Sequence, residues 1–127
     1  MDNDRSANIS IGGEDYELIL TTRATKEIAK RYGGLENLGE KLMKTEQFEL
    51  ALEEVVWLIT LLANQSILIH NLKNPKDKLD LLTEEALELL TSPFELAAYK
   101  SAIMEAMYKG SKREIESEDD SKNAPVG

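Results

Sequence analysis

His70 is the single histidine of a 127-residue chain that holds no cysteine. An imidazole does catalytic or metal chemistry with partners: a nucleophile in reach, or further ligands one helical turn away. Neither His-x-x-x-His nor His-x-x-Glu surrounds His70, whose neighbours are Asn71 and Lys73. It reads as a helix-terminal imidazole beside carbonyls that the last turn leaves open. The carboxylates run in series, at Glu53-Glu54, Glu84-Glu85 and Glu114/Glu116/Glu118. Such runs read as solvated faces, whereas an acid–base pair needs two environments that push the pKa values apart. Asp119-Asp120 lacks the spaced ligands and glycine of a calcium loop. Gly12-Gly13 and Gly33-Gly34 are followed by no Gly-Lys-Ser/Thr, so neither cradles phosphate. No serine lies in a nucleophile elbow. The chain is therefore expected to be no enzyme, with no cofactor and no resident metal.

The elements that position these residues are legible in the pattern. Ile9-Ser10-Ile11 and Tyr16-Glu17-Leu18-Ile19-Leu20 flank Gly12-Gly13-Glu14-Asp15, a strand–turn–strand order. Period-two spacing puts Tyr16, Leu18 and Leu20 on one face. Two strands alone are marginal in water, so the ribbon must pack on helices. Thr22 reads as the N-cap of a helix ending near Tyr32, with Ala24, Ile28, Ala29 and Tyr32 inward and Gly33 as its stop. A second short helix is expected over Leu35–Met43, with Leu35, Leu38, Leu42 and Met43 inward and Gly39 allowing a close crossing.

Thr45 is expected to cap the longest helix, from Glu46 to about Leu72. Phe48, Ala51, Leu52, Val55, Val56 and Ile59 lie on one side of it, and Glu46, Glu49, Glu53 and Glu54 face away. Its second half is apolar nearly all round, which marks a bundle centre or an interface. Asn71 to Lys78, with Pro75, reads as a loop. Thr83 opens a short helix to about Leu90. Ser92-Pro93-Phe94-Glu95 is a complete helix start, with Ser at the N-cap, Pro at N1 and Glu at N3. That last helix is expected to stop at Gly110. The fold class is mainly α (α+β): an N-terminal hairpin on a bundle of about five helices. Residues 1–8 read as a flexible N-terminus and 9–110 as one domain. Residues 111–127, with three basic and five acidic side chains, read as a disordered acidic tail.

Composition narrows the partners. The net charge is −9 and the pI about 4.7. Such a surface repels phosphate, so no nucleic acid and no anionic membrane is expected to bind. Met1-Asp2-Asn3-Asp4-Arg5 has no apolar signal-peptide core. The apolar run Val55–Ile69 is interrupted by Thr60, Asn64, Gln65 and Ser66, and reads as a core helix shorter than a bilayer span. The last helix carries an excess of adaptable apolar residues: Phe94, Tyr99, Ile103, Met104, Met107 and Tyr108 are more than one narrow face needs. Tyr99, Ile103, Met104, Met107 and Tyr108, with Trp57 on the long helix, are candidate partner contacts. Two readings stand for them: a core stripe, or a surface that takes a partner helix.

The pattern Ile11-Gly12-Gly13-x-x-Tyr16-x-Leu18, the helix with Thr22 and Ile28, Gly33-Gly34-Leu35-x-x-Leu38 and the apolar helix near Val55–Asn64 together resemble the tail assembly chaperones of long-tailed bacteriophages and prophages. The resemblance spans residues 9–110. It implies a protein of the host bacterial cytoplasm, absent from the mature virion. Its implied partners are the tape-measure protein, which it coats, and the tail tube protein, which it helps recruit. Several copies side by side imply a homo-oligomer. In many such phages a programmed frameshift near the end of this gene makes a longer form with an extra C-terminal domain. Ser121-Lys122-Asn123 is compatible with a slippery run ending A-AAA-AAC, and an AAG codon at Lys122 removes that site. The alternative is a head–tail or tail completion protein that stays in the particle. A small acidic inhibitor of a host enzyme is a third reading.

Overall fold

The structure, a computed structural model, describes residues 6–34, 37 and 48–123. Its elements are β1 (Ser6–Ile11), β2 (Glu14–Ile19), α1 (Thr22–Tyr32), α2 (Phe48–Lys73), α3 (Glu84–Leu90) and α4 (Pro93–Asn123). Four helices stand among the described residues, where periodicity predicts about five. The expected helix over Leu35–Met43 and the Thr45 cap lie outside the described residues. So do the side chains of Phe48, Glu49 and Ala51.

The hairpin is built as its residues dictate. Gly12 and Gly13 take φ of 58° and 86°, the two positive values of a type I′ turn, which glycine adopts without Cβ strain. The turn sets Ile11 opposite Glu14, Ile9 opposite Tyr16 and Ala7 opposite Leu18. Ala7, which the pattern leaves in a flexible N-terminus, is buried, and β1 begins at Ser6. In a two-residue hairpin the pair flanking the turn is hydrogen-bonded, and bonded and non-bonded pairs then alternate. Asn8 and Ser10 therefore turn their peptide groups to the outer edge of β1. Asp15 and Glu17 turn theirs to the outer edge of β2.

Local chemistry sets the helix ends, with one correction. The N-cap of α1 is Thr21, not Thr22: its Oγ1 accepts from the Ala24 amide at 3.0 Å. Thr21 keeps extended backbone and its hydroxyl donates to Gln65 of α2, so a tertiary bond chooses between two adjacent threonines. Gly33 ends α1 in the left-handed conformation, its amide bonded to Ala29 O at 2.8 Å. Thr83 caps α3 through the Ala86 amide at 3.1 Å. Ser92 and Glu95 close a reciprocal capping box on α4, at 3.0 and 3.3 Å. Gly110 does not end α4, whose backbone runs on to Asn123. One glycine costs a helix about 1 kcal/mol against alanine. Residues 111–123, read from the sequence as part of a disordered acidic tail, continue the helical backbone of α4.

The core lies where α2 crosses the hairpin and α4. Leu58, Ile59 and Leu62 of α2 are fully buried with Leu18, Ile28, Leu87 and Ile103. Each such side chain contributes roughly 1.5–3 kcal/mol on leaving water. Within α1, Ala24 and Ile28 point inward, Tyr32 is half-buried and Ala29 is exposed. The long helix corrects one expectation. By length and composition alone, Leu52–Lys73 is long enough and apolar enough to cross a membrane. Here it packs against β2, α1, α3 and α4, and Gln65 within it is buried and hydrogen-bonded to Thr21 and to Leu61 O.

Candidate interaction surface

The structure divides the six residues proposed for partner contact. Tyr99, Ile103 and Met107 are buried on one stripe of α4 with Leu96 and Ala106. Tyr99 also donates its hydroxyl to Ser10 O at 2.6 Å. That bond takes the outward carbonyl of Ser10 on β1, and burial pushes the Tyr99 phenol up, with help from the Glu95 charge. These three serve the core. Met104 and Tyr108 lie on the outward side of α4, with Tyr108 65% exposed. Trp57 is half-buried on α2, apart from that stripe.

Trp57 belongs to a group that charge patterning misreads. Glu54, expected on a solvent face, is buried with 6% exposure. The Tyr32 hydroxyl donates to its carboxylate, and Arg31 approaches both oxygens at 3.4 Å. The Arg31 guanidinium lies 4.4 Å from the Trp57 ring centre, and the Tyr32 ring stands edge-on to that indole at 6.0 Å. A buried carboxylate needs such partners, because leaving it unpaired costs several kcal/mol. Burial, then the hydrogen bond to Glu54, pushes the Tyr32 phenol well above its usual value. The legible signal was spacing: Glu54 and Trp57 are i and i+3 on one helix face. What lies over that face comes from the end of α1, a contact between residues 22 and 23 positions apart.

A second device, silent in the sequence, fixes the segment before α3. The Asn64 side chain donates to Leu82 O at 2.8 Å and accepts the Leu82 amide at 2.7 Å. Two turns on, Asn71 does the same for Leu79, at 3.0 and 2.8 Å. A primary amide carries the donor and acceptor of a peptide group, so each asparagine replaces one rung of a β-ladder. His70, between them, places Nε2 2.8 Å from Asp77 O, with the Asp77 carboxylate 3.9 Å away. It closes the loop at the C-terminal end of α2.

These clamps hold residues 79–82 across a groove from β2. The groove encloses about 720 Å³. Ile67 and His70 of α2 line it, with Leu79, Leu81 and Leu90 on one side and Glu14 to Glu17 on the other. Leu79, Leu81 and Leu90 are each about half exposed, at 51%, 49% and 51%. Asp15, Glu17 and Asp80 supply acid at the rim. The Tyr16 hydroxyl is tied to Glu14 at 3.1 Å. No group of three metal-ligating side chains occurs among the described residues. The groove is a trough of apolar side chains with acidic banks. Other large apolar side chains, Leu72, Leu89 and Phe94, are exposed elsewhere on the surface.

No protein-family model matches the chain, and neither a curated protein nor a solved structure shows significant similarity to it.

Proposed function

We propose that this protein is a non-enzymatic tail assembly chaperone of a long-tailed phage or prophage, which coats the tape-measure protein and helps recruit tail tube subunits. One observation carries the reading beyond the sequence resemblance: large apolar side chains stand exposed on a strongly acidic domain. Phe94 is 88% exposed and Leu72 82%, on a chain of net charge −9. Exposed apolar groups supply contact free energy at roughly 25 cal/mol per Å² covered. Net charge of one sign keeps copies soluble until a partner covers those groups. A long apolar helix that must stay unaggregated before a tube encloses it needs a partner of this kind.

The test is an affinity pull-down of the tagged protein from a producing host during late phage expression, read by mass spectrometry. Recovery of a very long helical protein, with or without tube protein, supports the chaperone reading. Recovery of portal or connector proteins, with the protein itself present in purified virions, overturns it in favour of a tail completion protein. Capture of a host enzyme in one-to-one complex, with no phage protein, overturns both.

A further inference from the structure

We infer that the open edge of β2 is a docking site for an extended segment of a partner protein in which basic and apolar residues alternate. The inference stands on the geometry of the groove, whichever protein supplies the segment. The two edges of the hairpin are treated differently. On β1, the outward carbonyl of Ser10 is taken by the Tyr99 hydroxyl, and α4 lies along that strand. On β2, the register turns the peptide groups of Asp15 and Glu17 outward. Among the described residues no backbone group outside the hairpin bonds to them. A row of unpaired strand groups is a template for strand addition.

The surroundings set the occupant. Across the groove, residues 79–82 are held by Asn64 and Asn71, so that bank does not close onto β2. The space between is lined by Ile67, Leu79 and Leu81 and flanked by Tyr16. A strand added to β2 alternates its side chains between two faces. On one face they meet Tyr16 and the leucines. On the other they meet Asp15 and Glu17, both exposed acids. Opposite charges across a strand pair are favourable and like charges are not. The matching segment is therefore apolar at one set of alternate positions and lysine or arginine at the other. A second copy of this chain is the wrong occupant for the same reason. Antiparallel β2–β2 pairing brings Glu14, Asp15 and Glu17 against their own kind.

The probe is a fluorescein-labelled peptide of alternating lysine and valine, titrated by anisotropy against the full chain and followed by amide NMR. Binding is expected to shift the Asp15 and Glu17 amides and to slow their hydrogen exchange. Asp15→Lys with Glu17→Lys is expected to weaken binding about tenfold or more. A peptide of the same composition with its lysines and valines in separate blocks tests order, and one N-methylated on the strand-bonding amides tests backbone pairing. Both are expected to bind about tenfold more weakly than the alternating peptide. Equal binding of either control overturns the inference, because bare charge attraction then accounts for the signal. Shifts confined to other surfaces overturn it too. Protection of the Asp15 and Glu17 amides in the free protein that rises with its concentration would show a second copy as the occupant.

Discussion

Asn64 and Asn71 make the same two hydrogen bonds to the backbone, and their replacement by alanine is expected to have unequal effects. Asn64→Ala removes bonds of 2.8 and 2.7 Å and strands the peptide groups of Leu82, a residue only 9% exposed. A net hydrogen bond is worth about 1 kcal/mol, and a stranded buried group adds about 1–3 kcal/mol. The expected loss is about 3 kcal/mol, a large share of the roughly 5–15 kcal/mol of a domain. Asn71→Ala removes bonds of 3.0 and 2.8 Å to Leu79, which is half exposed. Water takes over those groups, so the expected loss is about 0.5–1 kcal/mol. Urea unfolding at 25 °C measures both, and exchange of the Leu79 and Leu82 amides shows which end of the segment loosens. Asn64→Asp sharpens the test. The carboxylate still accepts the Leu82 amide but sets a lone pair against Leu82 O, so its penalty should shrink on acidification as the protonated group donates. Equal losses at 64 and 71, or no acid relief for the aspartate, would refute the claim that burial of the Leu82 rung governs the clamp.

Tyr32→Phe takes one donor from the buried Glu54 carboxylate and is expected to cost about 1–3 kcal/mol in urea unfolding. The Tyr32 phenol sits above its unfolded value of 10.0, through burial first and Glu54 second. Its contribution is thus complete below pH 10.0 and is lost as pH rises beyond that, since the unfolded chain sheds the proton first. Alkaline titration followed at the phenolate absorbance should show stability falling above pH 10.0, less so in the Phe variant. Ser92→Ala opens the capping box of α4 and should cost about 1 kcal/mol, read as a lower melting temperature with unchanged helical circular dichroism. Gly12→Ala should cost more than Gly13→Ala. Both hold positive φ, but a Cβ at Gly12 also meets Leu90 at 3.3 Å, whereas at Gly13 it meets nothing.

What could be read along the chain was what is decided within a few residues. Gly12-Gly13 admits a tight turn, Thr83 caps the next residues, and Ser92 and Glu95 find each other three positions apart. Alternating Ile9 and Ile11 declare a strand, and the long apolar helix declares a core, because burial and periodicity are local constraints on one element. Gly110 shows the limit within that range: a glycine that reads as a stop lies inside α4, whose backbone runs on to Asn123. Everything that depends on which elements meet was hidden. Thr21 displaced Thr22 as a cap because Gln65, 44 positions away, accepts its hydroxyl. Glu54 left its solvent face because Arg31 and Tyr32 lie over it. Tyr99, a candidate contact in the sequence, became a core residue because Ser10, 89 positions away, offers a carbonyl at the β1 edge. Asn64 and Asn71 look like polar breaks in an apolar helix and are in fact the rungs that hold a second chain segment. A polar side chain in a sequence announces a need for a partner; the packing of the helices on the hairpin decides which partner it finds and which strand edge is left without one.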